Sequence, residues 1–118
     1  MLIVDDEQSI RISLREFAVR EGHEVDVAAD ADEALMLFEI HPANIVVTDV
    51  ILPRIGGLEL LRRVREKSSS VRVILITGEP TVEYATEALR SGAVDFLSKP
   101  VLRKDFLAAL RSAAGDAR

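Results

Sequence analysis

Hydrophobic positions along the chain switch between two periods, and the switches mark alternating strands and helices. Met1 to Val4 is an apolar run that ends in Asp5-Asp6-Glu7. Ile10, Leu14, Phe17 and Ala18 then recur at helical spacing, and Gly22 after Glu21 is a stop signal. "EVDVA", Glu24 to Ala28, alternates as a strand with one solvated face does. Asp30 with Glu33 three residues on resembles a capping box, and Ala31, Ala34, Leu35 and Phe38 continue it along one helical face. "IVVT" from Ile45 predicts the third strand, and Leu58, Leu61 and Val64 predict the helix after it. "VRVILIT", Val71 to Thr77, predicts the fourth strand. Val82, Ala85 and Leu89 mark a helix stopped by Gly92, "VDFLS" (Val94 to Ser98) a fifth strand, and Leu102, Phe106, Ala109, Leu110 and Ala113 a last helical stripe.

Strands alternating with helices at this spacing imply right-handed crossovers and a parallel sheet covered on both faces. The first, third and fourth strands are apolar on successive residues, as strands buried on both faces are. The second and fifth carry Asp26 and Asp95, as edges do. The predicted architecture is an α/β sandwich with five parallel strands in the order 2-1-3-4-5, a flavodoxin-like (βα)5 arrangement. In that order the switch point lies between the first and third strands, where such sheets bind ligands at their carboxyl ends.

Composition narrows the function classes. At 118 residues the chain is one domain, residues 1–118, and the small polar tail "SAAGDAR" resembles the start of a linker, so excision from a longer protein is expected. No apolar run approaches the roughly 18 residues of a membrane span and no basic-then-apolar leader precedes the first strand, so a cytoplasmic location without membrane contact is expected. With no cysteine, disulfides, thiolate nucleophiles and zinc-thiolate sites are excluded. A formal net charge of -5, with scattered basic residues, argues against nucleic-acid binding by this domain.

The candidate chemistry lies at the strand ends. Asp5 and Asp6 follow the first strand, Asp49 the third, Thr77 the fourth and Lys99 the fifth. Carboxylates held close together need a cation or a proton at neutral pH. Oxygen ligands without His or Cys point to Mg²⁺, or Mn²⁺ in its place. A lysine and a hydroxyl are what the spare oxygens of a phosphoryl group require. A carboxylate nucleophile beside them completes the inventory for a covalent aspartyl phosphate.

"LIVDDE", "VVTDVILPRIGGLELL", "LITGE" and "GAVDFLSKP" together resemble the receiver domain of bacterial two-component response regulators over essentially the whole chain. The resemblance implies that Asp49 accepts a phosphoryl group from the phosphohistidine of a sensor histidine kinase. It implies that Asp6 binds Mg²⁺ directly and Asp5 mainly through water, with Asp49 and the backbone carbonyl of Ile51 completing the metal's protein ligands. Thr77 resembles the switch hydroxyl, Phe96 the switch aromatic that swings inward, and Lys99 the ion-pair partner. Lys99-Pro100 matches a pair that is often cis in the family. The implied output is a shift of the face made by the fourth helix, fifth strand and fifth helix, acting on an output domain or downstream protein, with homodimerisation through the same face as a further use. Likeness to receivers that precede an ATPase and a DNA-binding module raises a role in transcription regulation.

Three positions bear on where the chain departs from the family's pattern. Gly56 stands where many members carry Asp, so a looser loop with an intact acceptor site is expected. Ile51 and Glu79 occupy the positions that tune the lifetime of the acyl phosphate.

Bland readings stand beside these. Asp5-Asp6-Glu7 alone would be an acidic helix cap, Lys99 a surface lysine, Thr77 a strand residue and Phe96 core filler. His23 and His41 receive no function, and Tyr84 is expected as a partly exposed packing residue. Three other functions compete with the signalling role. An aspartate-nucleophile phosphatase typically has a second Asp two residues after the nucleophile, where this chain has Ile51. A nucleotide-binding module needs a glycine-rich phosphate loop, where this chain has DDEQSI. A phosphorylation-independent pseudo-receiver usually lacks a key acid or the lysine, and none is missing. A signalling phosphoacceptor that catalyses only its own phosphorylation and dephosphorylation, not an enzyme with turnover, is therefore expected.

Overall fold

In the computed structural model residues 1–115 are described. Five strands alternate with five helices: β1 (Leu2–Val4), α1 (Gln8–Arg20), β2 (Asp26–Ala28), α2 (Ala31–Ile40), β3 (Ile45–Asp49), α3 (Gly57–Lys67), β4 (Arg72–Thr77), α4 (Val82–Arg90), β5 (Asp95–Ser98) and α5 (Arg103–Ala113). The strands form one parallel sheet in the order β2-β1-β3-β4-β5, as the periodicity predicts. Residues 116–118, the end of the expected linker-like tail, lie outside the described residues.

Alternation along each central strand builds two cores, one on each face of the sheet. Leu2 and Val4, Val46, and Val73 and Leu75 pack with Phe38 of α2 and Leu60, Leu61 and Val64 of α3. Ile3, Val47, and Ile74 and Ile76 pack with Leu14 and Ala18 of α1 and Phe106 and Leu110 of α5. Burying each of the larger side chains contributes about 1.5–3 kcal/mol. Because β1, β3 and β4 are covered on both faces, their carboxyl ends are fixed in register: Val4 lies opposite Thr48, and Asp49 opposite Ile76.

Helix starts follow the local chemistry. The Asp30 side chain accepts the Glu33 N–H at 2.8 Å, while Glu33 Oε1 reaches past the expected Asp30 N–H to that of Ala29, also at 2.8 Å. Gly22 and Gly92 end α1 and α4 with φ of +92° and +94°.

Two expectations about helix faces are corrected. Val82 and Leu89, predicted to lie on the buried stripe of the fourth helix, are 77% and 69% exposed. α4 instead buries Ala88, with Tyr84 half-buried beside the core as expected. Periodicity identifies an apolar face but not which face meets the sheet. Tyr84 and Ala88, one helical turn apart, form the second face and win the contact. Leu102 is the exposed N-cap of α5, not part of its stripe, and Leu107 is buried as well. Strand limits differ by one or two residues, most at β2, where Glu24 and Val25 precede the paired segment.

Candidate functional site

The loops leaving β1, β3, β4 and β5 bring together the residues singled out at the strand ends. Asp49 is the last residue of β3 and is 5% exposed. A carboxylate this buried requires partners, and each oxygen has one. Asp49 Oδ1 accepts the backbone N–H of Ile51 at 3.0 Å, and Oδ2 accepts from Lys99 Nζ at 2.7 Å.

Asp5 is fully buried just past β1. Its Oδ1 accepts the Glu7 N–H at 2.9 Å, a contact within the turn, and the Glu7 side chain at the N-cap of α1 caps nothing. Lys99 Nζ lies 2.9 Å from Asp5 Oδ2, at an angle too poor for a hydrogen bond, so that buried oxygen has no donor aimed at it. Burial raises the Asp5 carboxyl above its ordinary range, and the Lys99 ammonium only partly offsets this. Asp6, the next residue, is exposed. Burial alone would lower the Lys99 ammonium, but the Asp49 and Asp5 carboxylates outweigh burial and leave it raised, so it is charged throughout the neutral range.

The β4 and β5 ends close the site. Thr77 is fully buried, and its Oγ1 accepts the Glu79 N–H at 3.0 Å. The Lys99 N–H donates to the Thr77 carbonyl at 2.8 Å, which ties the ammonium's own backbone to the hydroxyl-bearing residue. The Lys99–Pro100 bond is cis. Phe96 pairs with Leu75 in the sheet and packs half-buried against the α2–α3 core, a position that core filler would also occupy.

The turn after Asp49 is held tightly. Gly57 N–H donates to the Val50 carbonyl at 2.8 Å, and a Cβ on Gly57 would lie 2.0 Å from the Asp49 carbonyl oxygen. Only glycine permits that approach of α3 to the strand end. A Cβ on Gly56 would meet the Val50 carbonyl oxygen at 3.2 Å. The residue in this turn with left-handed backbone is Arg54, at φ +65°.

Carboxylate oxygens of Asp5, Asp6 and Asp49 all come within 4.8 Å of one another. An all-oxygen donor set, one member solvent-facing and another with an undonated buried oxygen, fits a hard divalent cation such as Mg²⁺. Ile51, exposed in the same turn, has its N–H bound to Asp49.

Two contacts were not foreseen. Glu7 Oε1 is a third carboxylate oxygen on Lys99, at 3.2 Å, and Arg11 Nη1 donates to the Asp5 carbonyl at 2.7 Å. The acidic run held a signal for Glu7, because a residue two positions after Asp5 starts the helix beside the same crevice. Nothing local signals Arg11.

The profile of the response regulator receiver domain family matches residues 1–111. Response regulator MprA of Mycobacterium sp. (strain KMS) is 35% identical over 112 residues, which are 95% of this chain and 49% of that protein. The chain thus spans about half the length of the curated relatives it matches. Among solved structures, the receiver domain of NtrX from Brucella abortus superposes with a TM-score of 0.91 at 33% identity, covering 98% of each chain. A CheY-like receiver domain protein from Methanospirillum hungatei JF-1 superposes with a TM-score of 0.91 at 32% identity, over 98% of this chain and 93% of that one.

Proposed function

The chain belongs to the receiver domains of two-component response regulators, and on that premise we propose that it takes a phosphoryl group from a sensor histidine kinase onto Asp49 and relays the change through α4, β5 and α5. The observation that carries this is the Lys99 ammonium held 2.7 Å from Asp49 and 2.9 Å from Asp5, beside an open Asp6. Asp49 is thereby buried and oriented, while the exposed Asp6 and the undonated Oδ2 of buried Asp5 are left to face a cation.

An Asp49 oxygen attacks the phosphorus as the phosphorus–nitrogen bond to the kinase's histidine breaks, and the imidazole leaves with the electron pair. Asp5, Asp6, Asp49 and the Ile51 carbonyl would hold Mg²⁺, Asp5 mainly through water. Bound there, the ion neutralises charge developing on the phosphoryl oxygens. Lys99 pairs with a phosphoryl oxygen, and Thr77 gives up its contact with the Glu79 N–H to donate its hydroxyl to another. Phe96 turns inward into the space Thr77 leaves. The exposed Val82 and Leu89 of α4 offer an apolar surface to an output domain, a downstream protein or a second copy of the chain. Ile51, whose side chain stands 42% exposed at the mouth, and Glu79 set how easily water reaches the acyl phosphate. We place the domain in the cytoplasm, as part of a longer regulator. Among the described residues, no helix is long and apolar enough to cross a membrane.

Intact-mass spectrometry after incubation with a small phosphodonor tests this. One phosphoryl adduct is expected on the wild type with Mg²⁺, and none on Asp49→Ala or without the metal. A full adduct on Asp49→Ala would refute the assignment. If the wild type also lacks one, a beryllofluoride titration distinguishes a short-lived phosphate from a pseudo-receiver.

A further inference from the structure

Arg54 adopts φ +65°, a backbone conformation that favours glycine, in the turn three residues after Ile51. Its guanidinium spans to the start of α2, where Nη2 donates to Asp30 Oδ2 at 2.9 Å and Nε to Asp32 Oδ2 at 3.1 Å. Asp30 also caps α2 through Glu33. The Glu33 N–H and the guanidinium together hold the Asp30 carboxyl below its usual range, so both partners are charged at neutral pH.

These contacts close a circuit across three loops. The Asp5 N–H donates to the Ala28 carbonyl at 3.1 Å, which fixes the end of β1 to the end of β2. Two residues beyond Ala28, Asp30 receives Arg54, and Arg54 belongs to the turn whose other end is fixed by Ile51 N–H to Asp49. The acids of β1 and the acceptor and carbonyl of β3 are therefore linked through the β2–α2 connection as well as directly through the sheet.

We propose that Arg54 is a positioning residue, whose bridge to Asp30 and Asp32 holds the turn after Asp49 so that the Ile51 carbonyl and the acceptor carboxylate face the acids of β1. It touches neither the cation nor the phosphoryl group. The inference rests on the receiver reading above. A glycine in its place would keep the backbone conformation and remove the bridge, which separates positioning from folding.

The test is a calorimetric titration of Mg²⁺ into wild type, Arg54→Gly, Arg54→Lys, Asp32→Asn and the Arg54→Gly/Asp32→Asn double variant, with melting temperatures of the metal-free proteins. Arg54→Gly should weaken Mg²⁺ binding by about fivefold, less than the roughly 10–100-fold typical of groups that orient metal ligands, because the bridge is exposed. Its metal-free melting temperature should not fall, and its phosphorylation rate should recover at saturating Mg²⁺. Arg54→Lys should retain part of the affinity. Asp32→Asn should weaken binding alone but add little to Arg54→Gly. An Arg54→Gly affinity within twofold of wild type, or fully additive losses in the double variant, would overturn the inference while leaving the receiver reading intact. A wild type with neither Mg²⁺ binding nor a phosphoryl adduct would overturn both.

Discussion

α3 and α4 are consecutive crossover helices on the same side of the sheet, and each follows a strand that ends in a site residue, Asp49 or Thr77. Their seating differs sharply. α3 buries Leu60, Leu61 and Val64 and abuts Asp49 through Gly57, whereas α4 buries Ala88 and turns Val82 and Leu89 to solvent. The Arg62–Glu87 bridge at 3.0 Å runs between the two helices across an exposed surface. The strand end that carries Asp49 is backed by the well-anchored helix, and the Thr77 end by the lightly held one. That division suits the proposed function, in which Asp49 is held fixed while a neighbouring surface moves.

The sharpest way to break this contrast is to shorten one leucine on each helix. Leu61→Ala should cost about 2–5 kcal/mol in a denaturant titration. Leu89→Ala should stay within about 0.5 kcal/mol of wild type. A comparable loss at Leu89 would mean that α4 is seated as firmly as α3.

A smaller effect is expected at Asp5. Burial raises its carboxyl above the ordinary 3.8, so the folded state holds that proton more tightly than the unfolded chain. Stability therefore falls as pH rises from 3.8 through the raised value, and stays reduced above it. In metal-free buffer Asp5→Asn should melt above wild type at neutral pH, and the advantage should disappear below pH 3.8. Melting curves across that range check the sign.

The smallest change in stability belongs to the exposed bridge between the helices. Arg62→Ala should barely move the unfolding midpoint, yet speed amide exchange in α4 more than in α3. Lys99→Ala, which also strips the buried Asp49 Oδ2 of its donor, is read on coupling. It should still accept some phosphate but lose the phosphate-induced spectral change, and an unaltered change would show that Lys99 is not the coupler.

How much was legible in the sequence follows the same division. Asp5, Asp49, Thr77 and Lys99 could be placed because each sits at or next to the end of an apolar run, and strand order alone brings such ends together. The anchored helices were legible too, since Leu61 and Val64 or Phe106 and Leu110 are large side chains three or four residues apart, on one helical face. α4 was misread because Val82, Ala85 and Leu89 have the more hydrophobic period, while small Ala88 and Tyr84 make the contact. Arg54 was out of reach for another reason. Its partners Asp30 and Asp32 lie more than twenty residues away, and no local pattern marks an arginine in left-handed backbone.

The central claim is that charge added at Asp49 is felt at α4 and not at α3. Amide hydrogen exchange, followed by mass spectrometry with and without a small phosphodonor in Mg²⁺, tests it most directly. Altered protection is expected from Glu79 to Ser98 in wild type, with little change over Gly57 to Lys67 and none anywhere in Asp49→Ala. Equal changes in both helices, or the same response in Asp49→Ala, would contradict it.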